Sequence, residues 1–303
     1  MLRRVGARLA GAVLITALLV SGLPAPAGAA TDTPFRGLGA WVDVYDYAPA
    51  FLASGALPTV TPASVADMAA LGVHTLYLQA AQDDDRSKGD VVDRRLLARF
   101  LAAGRRSDVR IVAWYLPKFG DVDADLRRIQ ALADFSSNGD QFDGIALDIE
   151  WTKSVPDAAS RNQRVVELSR RARDLVSGIP LGAIVLDPVL LEVVNHDYWP
   201  AFPWRKIRDD YDVWMPMIYW TNRNSSSGYR EGFRYTDENI RRLRADLGRA
   251  NAPVHPVGGV ADAVSAADVA GFVRAARRQH AIGWSVYDYA TTTSGLWPRL
   301  RGR

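Results

Sequence analysis

The segment Gln141-Phe142-Asp143-Gly144-Ile145-Ala146-Leu147-Asp148-Ile149-Glu150-Trp151 is a short apolar run ending in two carboxylates and an indole. Successive side chains of a strand point to opposite faces, so Asp148 and Glu150 share one face, about 7 Å apart along the backbone. That separation is the reach of one sugar ring. Two carboxylates so placed suit hydrolysis of an acetal, which needs a proton on the leaving oxygen and stabilisation of an oxocarbenium-like centre. Glu150 is the better acid, because crowding by Asp148 and burial among Trp151, Trp220 and Trp284 would raise its pKa and keep it protonated near neutrality. The bland alternative is an acidic pair solvated at a strand end or bonded to a neighbouring arginine.

Such a pair needs a frame that holds it at the end of a strand. Apolar strand-like runs alternate with amphipathic stretches along the chain, at 39–45, 74–79, 109–115, 144–150, 181–186, 213–219, 254–257 and 282–287. This pattern predicts a single (β/α)8 TIM barrel over residues 31–303, whose active site is expected at the C-terminal mouth. Helix signals fall between the runs. Thr61-Pro62 reads as a helix start ended by Gly72, a helix is expected from Asp93 to Gly104, and Ser265 with Asp268 resembles a capping box. A doubly wound open sheet is disfavoured, because the first βα turn lacks a phosphate-binding glycine fingerprint.

The predicted mouth is rich in polar and aromatic side chains. Asp43, Tyr45 and Asp46 follow the first strand, Gln79 and Gln82 the second, and Trp114, Tyr115 and Lys118 the third. Trp151 follows Glu150, Asp187 ends the fifth strand, Met217, Tyr219 and Trp220 end the sixth, and Trp284, Tyr287 and Asp288 the eighth. Aromatic faces beside carboxylates and amides suit carbohydrates, whose rings offer C–H faces to stack on and hydroxyls to bond. Asp43, Tyr45, Gln79, Trp114, Trp151, Met217, Trp220 and Trp284 are therefore expected to bind substrate. The loop 221–233, rich in Asn, Ser and Gly, reads either as a mobile cover over the site or as a disordered insertion.

Composition narrows the partners. Arg3, Arg4 and Arg8 precede an apolar run and then small residues, the pattern of a secretory signal peptide over residues 1–30. Removing three of the 37 basic residues leaves a chain balanced against its 34 acidic ones. The basic pI thus belongs largely to the leader, and no nucleic acid partner is expected. The expectation is a bacterial protein exported to the extracellular space, monomeric, with a carbohydrate substrate and no stable membrane association after cleavage. The chain has no cysteine, so disulfides and thiol chemistry are excluded. None of His74, His196, His255 and His280 forms a ligand-type pair, and the run Asp83-Asp84-Asp85 lacks calcium-loop spacing, so no metal or cofactor is expected.

The segment 143–150 resembles the fourth-strand signature D-G-x-D-x-D-x-E of glycoside hydrolase family 18, the chitinases and related endo-N-acetylglucosaminidases. Asp212-Val-Trp-Met-Pro-Met217-Ile-Tyr219 is similar to that family's sixth strand, and Gly283-Trp284-Ser285 to its tryptophan-bearing eighth strand, the three together covering about half of the chain after the leader. The resemblance implies Glu150 as proton donor, Asp148 orienting a substrate N-acetyl group that acts as internal nucleophile, and Tyr219 holding the acetamide. It also implies Trp284 as the floor of the sugar site. Two positions depart from the pattern: Ala146 replaces the first aspartate of D-x-D-x-E, and Trp220 stands where aspartate often follows the sixth-strand tyrosine. The shorter pattern Leu147-Asp148-Ile149-Glu150 also fits a family 25 lysozyme-type barrel acting on peptidoglycan, with Asp43 as an additional acid. A barrel that binds carbohydrate without cleaving it is the third reading.

Overall fold

The computed structural model describes residues 32–302. The leader reading concerns residues 1–30 and lies outside the described residues. Eight parallel strands close a barrel: β1 (Gly37–Val42), β2 (Thr75–Ala81), β3 (Arg110–Tyr115), β4 (Gly144–Ile149), β5 (Leu181–Leu186), β6 (Val213–Ile218), β7 (Val257–Val260) and β8 (Gly283–Tyr287). Each strand pairs with its neighbours in chain order, and β8 returns to β1 through Gly37↔Gly283 and Leu38↔Trp284. The (β/α)8 barrel expected from the alternating pattern is the observed fold.

Helices α1 (Ser64–Ala70), α2 (Arg94–Ser107), α3 (Val122–Ala133), α4 (Ala158–Leu175), α5 (Trp204–Ile207), α6 (Gly232–Leu247), α7 (Ala266–Arg278) and α8 (Trp297–Leu300) clothe the outside. Several start where the sequence places a cap. Asp93 accepts from the backbone N–H groups of Arg95 and Leu96, and Ser265 from that of Asp268, satisfying donors that a helix N-terminus leaves free. α1 differs: it starts at Ser64 without a side-chain cap, and the Thr61 N–H instead donates to Ser64 Oγ at 3.1 Å.

Two strand boundaries differ from the expected ones. β1 stops at Val42, because Asp43 folds back as the cap of a one-turn helix, Val44–Tyr47, accepting from the Tyr45 N–H at 2.7 Å. β7 begins at Val257 rather than 254, since Pro256 has no N–H to give the ladder and Val254 makes only an isolated bridge to Trp214. Its Gly258 and Gly259 lie where the ring of Trp220 presses on the sheet; a Cβ at Gly258 would come within 2.8 Å of that ring.

The lower end of the barrel is plugged. Phe35 inserts beneath Gly182, where a Cβ would meet its ring at 2.8 Å. Above it Trp41 stacks on Tyr77 at 4.5 Å, and the Trp41 indole N–H donates to Ser285 Oγ at 2.7 Å. His255 bridges the layers, with Nδ1 donating to the Phe35 carbonyl at 2.7 Å and Nε2 left to accept from Ser285 Oγ at 3.0 Å. Burial pushes its imidazole down to about 4, so it packs as a neutral ring. This floor leaves the opposite, C-terminal end as the open one.

Candidate active site

Alternation along β4 turns Gly144, Ala146 and Asp148 to the barrel axis and Ile145, Leu147 and Ile149 to the helices. Asp148 is 7% exposed, at the last inward position of the strand, and Glu150 follows one step higher, half-buried at the mouth. Burial and then the Glu150 charge push the Asp148 carboxyl well above the usual range; burial alone raises Glu150. Both carboxyls are thus raised together, as two neighbouring buried acids must be. Asp148 Oδ1 has no hydrogen-bond partner. The inward position below it is Ala146, a methyl where a polar group would be needed to serve that oxygen.

A cavity of about 300 Å³ opens above the pair. Glu150, Met217 and Tyr219 line it with the apolar Leu186 and Leu190 and the 42% exposed ring of Tyr198; Asp187, Asn222 and Arg223 supply its remaining polar wall. The Tyr219 phenol is raised well above its ordinary value by burial and by the charges of Asp148, Glu150 and Asp288, so it is a hydrogen-bond donor at any working pH. Asp187 is almost fully buried in that wall, accepting from the Tyr235 hydroxyl at 2.7 Å and the Leu190 N–H at 2.9 Å. Burial lifts it to about 6.

Other expected site residues lie elsewhere. The Trp284 indole N–H donates to the Leu300 carbonyl at 2.8 Å, with the Arg277 guanidinium 5.4 Å from its ring. It belongs to the α7/α8 side of the sheet and is no floor for a sugar, because Ser285 and Tyr287 hold the inward positions of β8. Trp220 is 1% exposed and packs on Phe272 of α7 at 5.4 Å, so it too is part of the helix layer. Neither ring surrounds Glu150; Leu186, Leu190 and Met217 provide the apolar wall instead. Trp114 is inward but only 5% exposed, edge-on to Trp41 at 5.9 Å, which makes it core rather than platform. Tyr45 stands at the rim, 53% exposed, against Phe51 and Arg86. Trp151 is half-buried at the rim between Lys118 and Lys153, its N–H donating to Ser154 Oγ at 2.9 Å.

Asp43 and Gln79 build the mouth rather than face the cavity. Gln79 Oε1 accepts from the Val44 N–H at 3.1 Å, and Asp43 Oδ2 accepts from the Tyr287 hydroxyl at 2.5 Å. Asp43, Asp46 and Asp288 bring carboxylate oxygens within 4.8 Å of one another, the spacing of a cation site among the described residues. Burial and its two acidic neighbours lift Asp46 to about 7, so a shared proton meets part of that repulsion. Asp288 is served by Thr291, whose N–H and hydroxyl both donate at 2.9 Å. The Asp83–Asp85 run is occupied by ion pairs, Asp83 with Arg128 at 2.6 Å and Asp84 with Arg86 at 2.8 Å.

A larger cavity of about 590 Å³ lies outside the mouth, beside Arg86, Asp93 and Arg94. Asp93 is spent capping α2, and no buried acid points into this space, so the chemistry favours the smaller cavity. Tyr198, Leu190, Asn222 and Arg223 escape sequence reasoning because they stand on irregular segments after β5 and β6, where no periodicity marks a face. Trp41 is different. It shares the inward phase of β1 with Gly39 and Asp43, a signal present in the alternation.

No family model matches the sequence, and no curated protein matches it. Solved structures do. The chain is similar to a glycoside hydrolase family 18 N-acetylglucosaminidase from Paenibacillus barengoltzii, at 10% identity and TM-score 0.58 over 88% of this chain and 99% of that one. It is similar to a class V chitinase from Pseudomonas fluorescens Pf-5, at 12% identity and TM-score 0.59 over 88% and 98%. It is also similar to a chitinase-like agglutinin from Robinia pseudoacacia, at 12% identity and TM-score 0.56 over 87% and 98%. What the chain shares with these proteins, at such identities, is the barrel fold.

Proposed function

We propose that the protein is a secreted glycoside hydrolase that cleaves an N-acetylhexosamine-containing glycan by substrate-assisted catalysis. The carrying observation is the pairing of a half-buried Glu150 inside the mouth cavity with a buried Asp148 beneath it, both raised in pKa. Glu150 gives its proton to the glycosidic oxygen as the bond to C1 breaks. The N-acetyl carbonyl oxygen closes on C1 to form a cyclic oxazolinium ion, whose N–H is held by Asp148, and Tyr219 donates to the acetamide. Water then adds to C1, losing its proton to the Glu150 carboxylate, so the acid is restored and the configuration retained. The fold likeness to chitinases and an N-acetylglucosaminidase supports this reading.

The muramidase arrangement is less well supported, because both Asp43 oxygens are engaged, by Tyr45 and by Tyr287. A carbohydrate-binding barrel without turnover is the second reading, favoured by the unserved Asp148 oxygen over Ala146. A hydrolysis and affinity screen against chitin oligomers, N-glycans and peptidoglycan separates the two. Cleavage of an N-acetylhexosamine linkage supports the enzyme, and binding with no cleavage of any glycan supports the lectin-like barrel.

A further inference from the structure

Arg223 lines the same cavity as Glu150, yet its side chain makes no ion pair and no hydrogen bond among the described residues. Its Nε is fully enclosed and without an acceptor. Arg128 and Arg161 also keep an enclosed Nε without an acceptor, but their terminal nitrogens are matched, Arg128 Nη2 by Asp83 at 2.6 Å and Arg161 Nη1 by the Val155 carbonyl at 2.7 Å, whereas those of Arg223 bond no described residue. Asp187, in the wall of the same cavity, feels the Arg223 charge, but its carboxylate is bonded to the Tyr235 hydroxyl and the Leu190 N–H and makes no ion pair with Arg223. The Tyr235 ring flanks the guanidinium at 5.8 Å. A guanidinium carries five N–H donors in a planar fork that fits a carboxylate in two parallel bonds, and a half-buried one without a partner is incomplete.

We propose that Arg223 forms an anionic subsite, so that the glycan taken by this barrel carries a carboxylate on the sugar bound beside Glu150. This rests on the glycosidase reading and narrows its substrate class. Tyr198, exposed on the opposite segment of the same cavity, offers a ring for the apolar face of that sugar, and Asn222 an amide for its hydroxyls. A neutral N-acetylglucosamine polymer would leave the guanidinium unmatched and desolvated, which disfavours it relative to a carboxylated chain. The carboxylate has two chemical sources: a uronic acid, or a lactyl ether on an N-acetylhexosamine.

The test uses oligosaccharides of both kinds, with the lactyl carboxylates freed of peptide, each beside its counterpart in which the carboxyl is reduced to an alcohol. Calorimetric binding and kcat/KM are measured on the same preparations. Wild type should favour one carboxylated glycan over its reduced form by about 10- to 100-fold, the loss expected from one charge-assisted pair. In Arg223→Gln the ratio should fall toward one, with Arg223→Lys between; a ratio is insensitive to the folded fraction. The arm that shows the preference names the source. Equal handling of both pairs by wild type overturns the anionic subsite and, if cleavage occurs, leaves the glycosidase intact. Preferential binding of a carboxylated glycan without any cleavage upholds the subsite and overturns the glycosidase. An undiminished ratio in Arg223→Gln also overturns the role of Arg223.

Discussion

The Tyr287 hydroxyl donates to Asp43 Oδ2 at 2.5 Å and so ties the end of the last barrel strand to the turn after the first, at the mouth. The bond closes the barrel where strands β8 and β1 are paired only near their lower ends, at Gly37↔Gly283 and Leu38↔Trp284. Tyr287→Phe keeps the ring and removes the donor. A hydrogen bond to a charged acceptor contributes about 1.5–3 kcal/mol, so the melting temperature should fall by several degrees. An unchanged melt would mean that water replaces the phenol without cost.

Trp284 offers a direct contrast between core and platform. Its N–H serves Leu300 and its ring lies under Arg277, on the helix side of the sheet. Trp284→Ala should therefore lower stability by about 1–3 kcal/mol through lost burial. Glycan affinity per folded molecule should stay within about twofold. A selective loss of affinity with an intact melt would return Trp284 to the sugar site.

The acidic cluster at the mouth sets a pH dependence of stability. Asp46 is lifted to about 7 by burial and then by Asp43 and Asp288, whereas the unfolded chain ionises near an ordinary aspartate value. Below about pH 4 both states hold the proton and the site is neutral to stability. Between about pH 4 and 7 the unfolded chain has lost a proton that the native one keeps, so stability falls as pH rises. Asp46→Asn should flatten that slope in melts recorded from pH 4 to 8. A slope identical to wild type would show that Asp46 ionises normally in the folded protein.

Asp148 should carry a conflict between stability and function. Its Oδ1 is enclosed without a donor, and burial opposes its ionisation. Asp148→Asn removes the need to bury a charge, so it should melt higher than wild type at pH 8, with the difference shrinking toward pH 4. Turnover should nonetheless fall by at least about 10²-fold, because the amide cannot stabilise the positive charge that develops on the acetamide. Equal turnover would remove Asp148 from the mechanism.

The sequence carries the barrel and its acid pair for one physical reason: both depend on strand alternation and βα recurrence, which are periodic. The inward phase of Gly144, Ala146 and Asp148 is readable from β4 alone. The family motif puts Trp284 in the sugar site, whereas the strand phase puts it on the helix side, since Ser285 and Tyr287 occupy the inward positions of β8. Trp220 is not legible from the strand because it sits two residues past the end of β6, in a turn, where alternation no longer holds; the small residues Gly258 and Gly259 then admit its ring to the helix layer. The cavity wall from Tyr198 and Arg223 belongs to irregular chain and is fixed only by tertiary packing.

The central claim, that Glu150 is the proton donor of a glycosidase, is tested most directly by Glu150→Gln. The amide keeps shape and hydrogen-bonding capacity and lacks the proton that the leaving oxygen needs. Hydrolysis and affinity are measured side by side on one panel of glycans, with melts confirming that wild type and variant are equally folded. The account predicts a loss of turnover of at least about 10²-fold with affinity retained. Turnover by Glu150→Gln equal to that of wild type would contradict it.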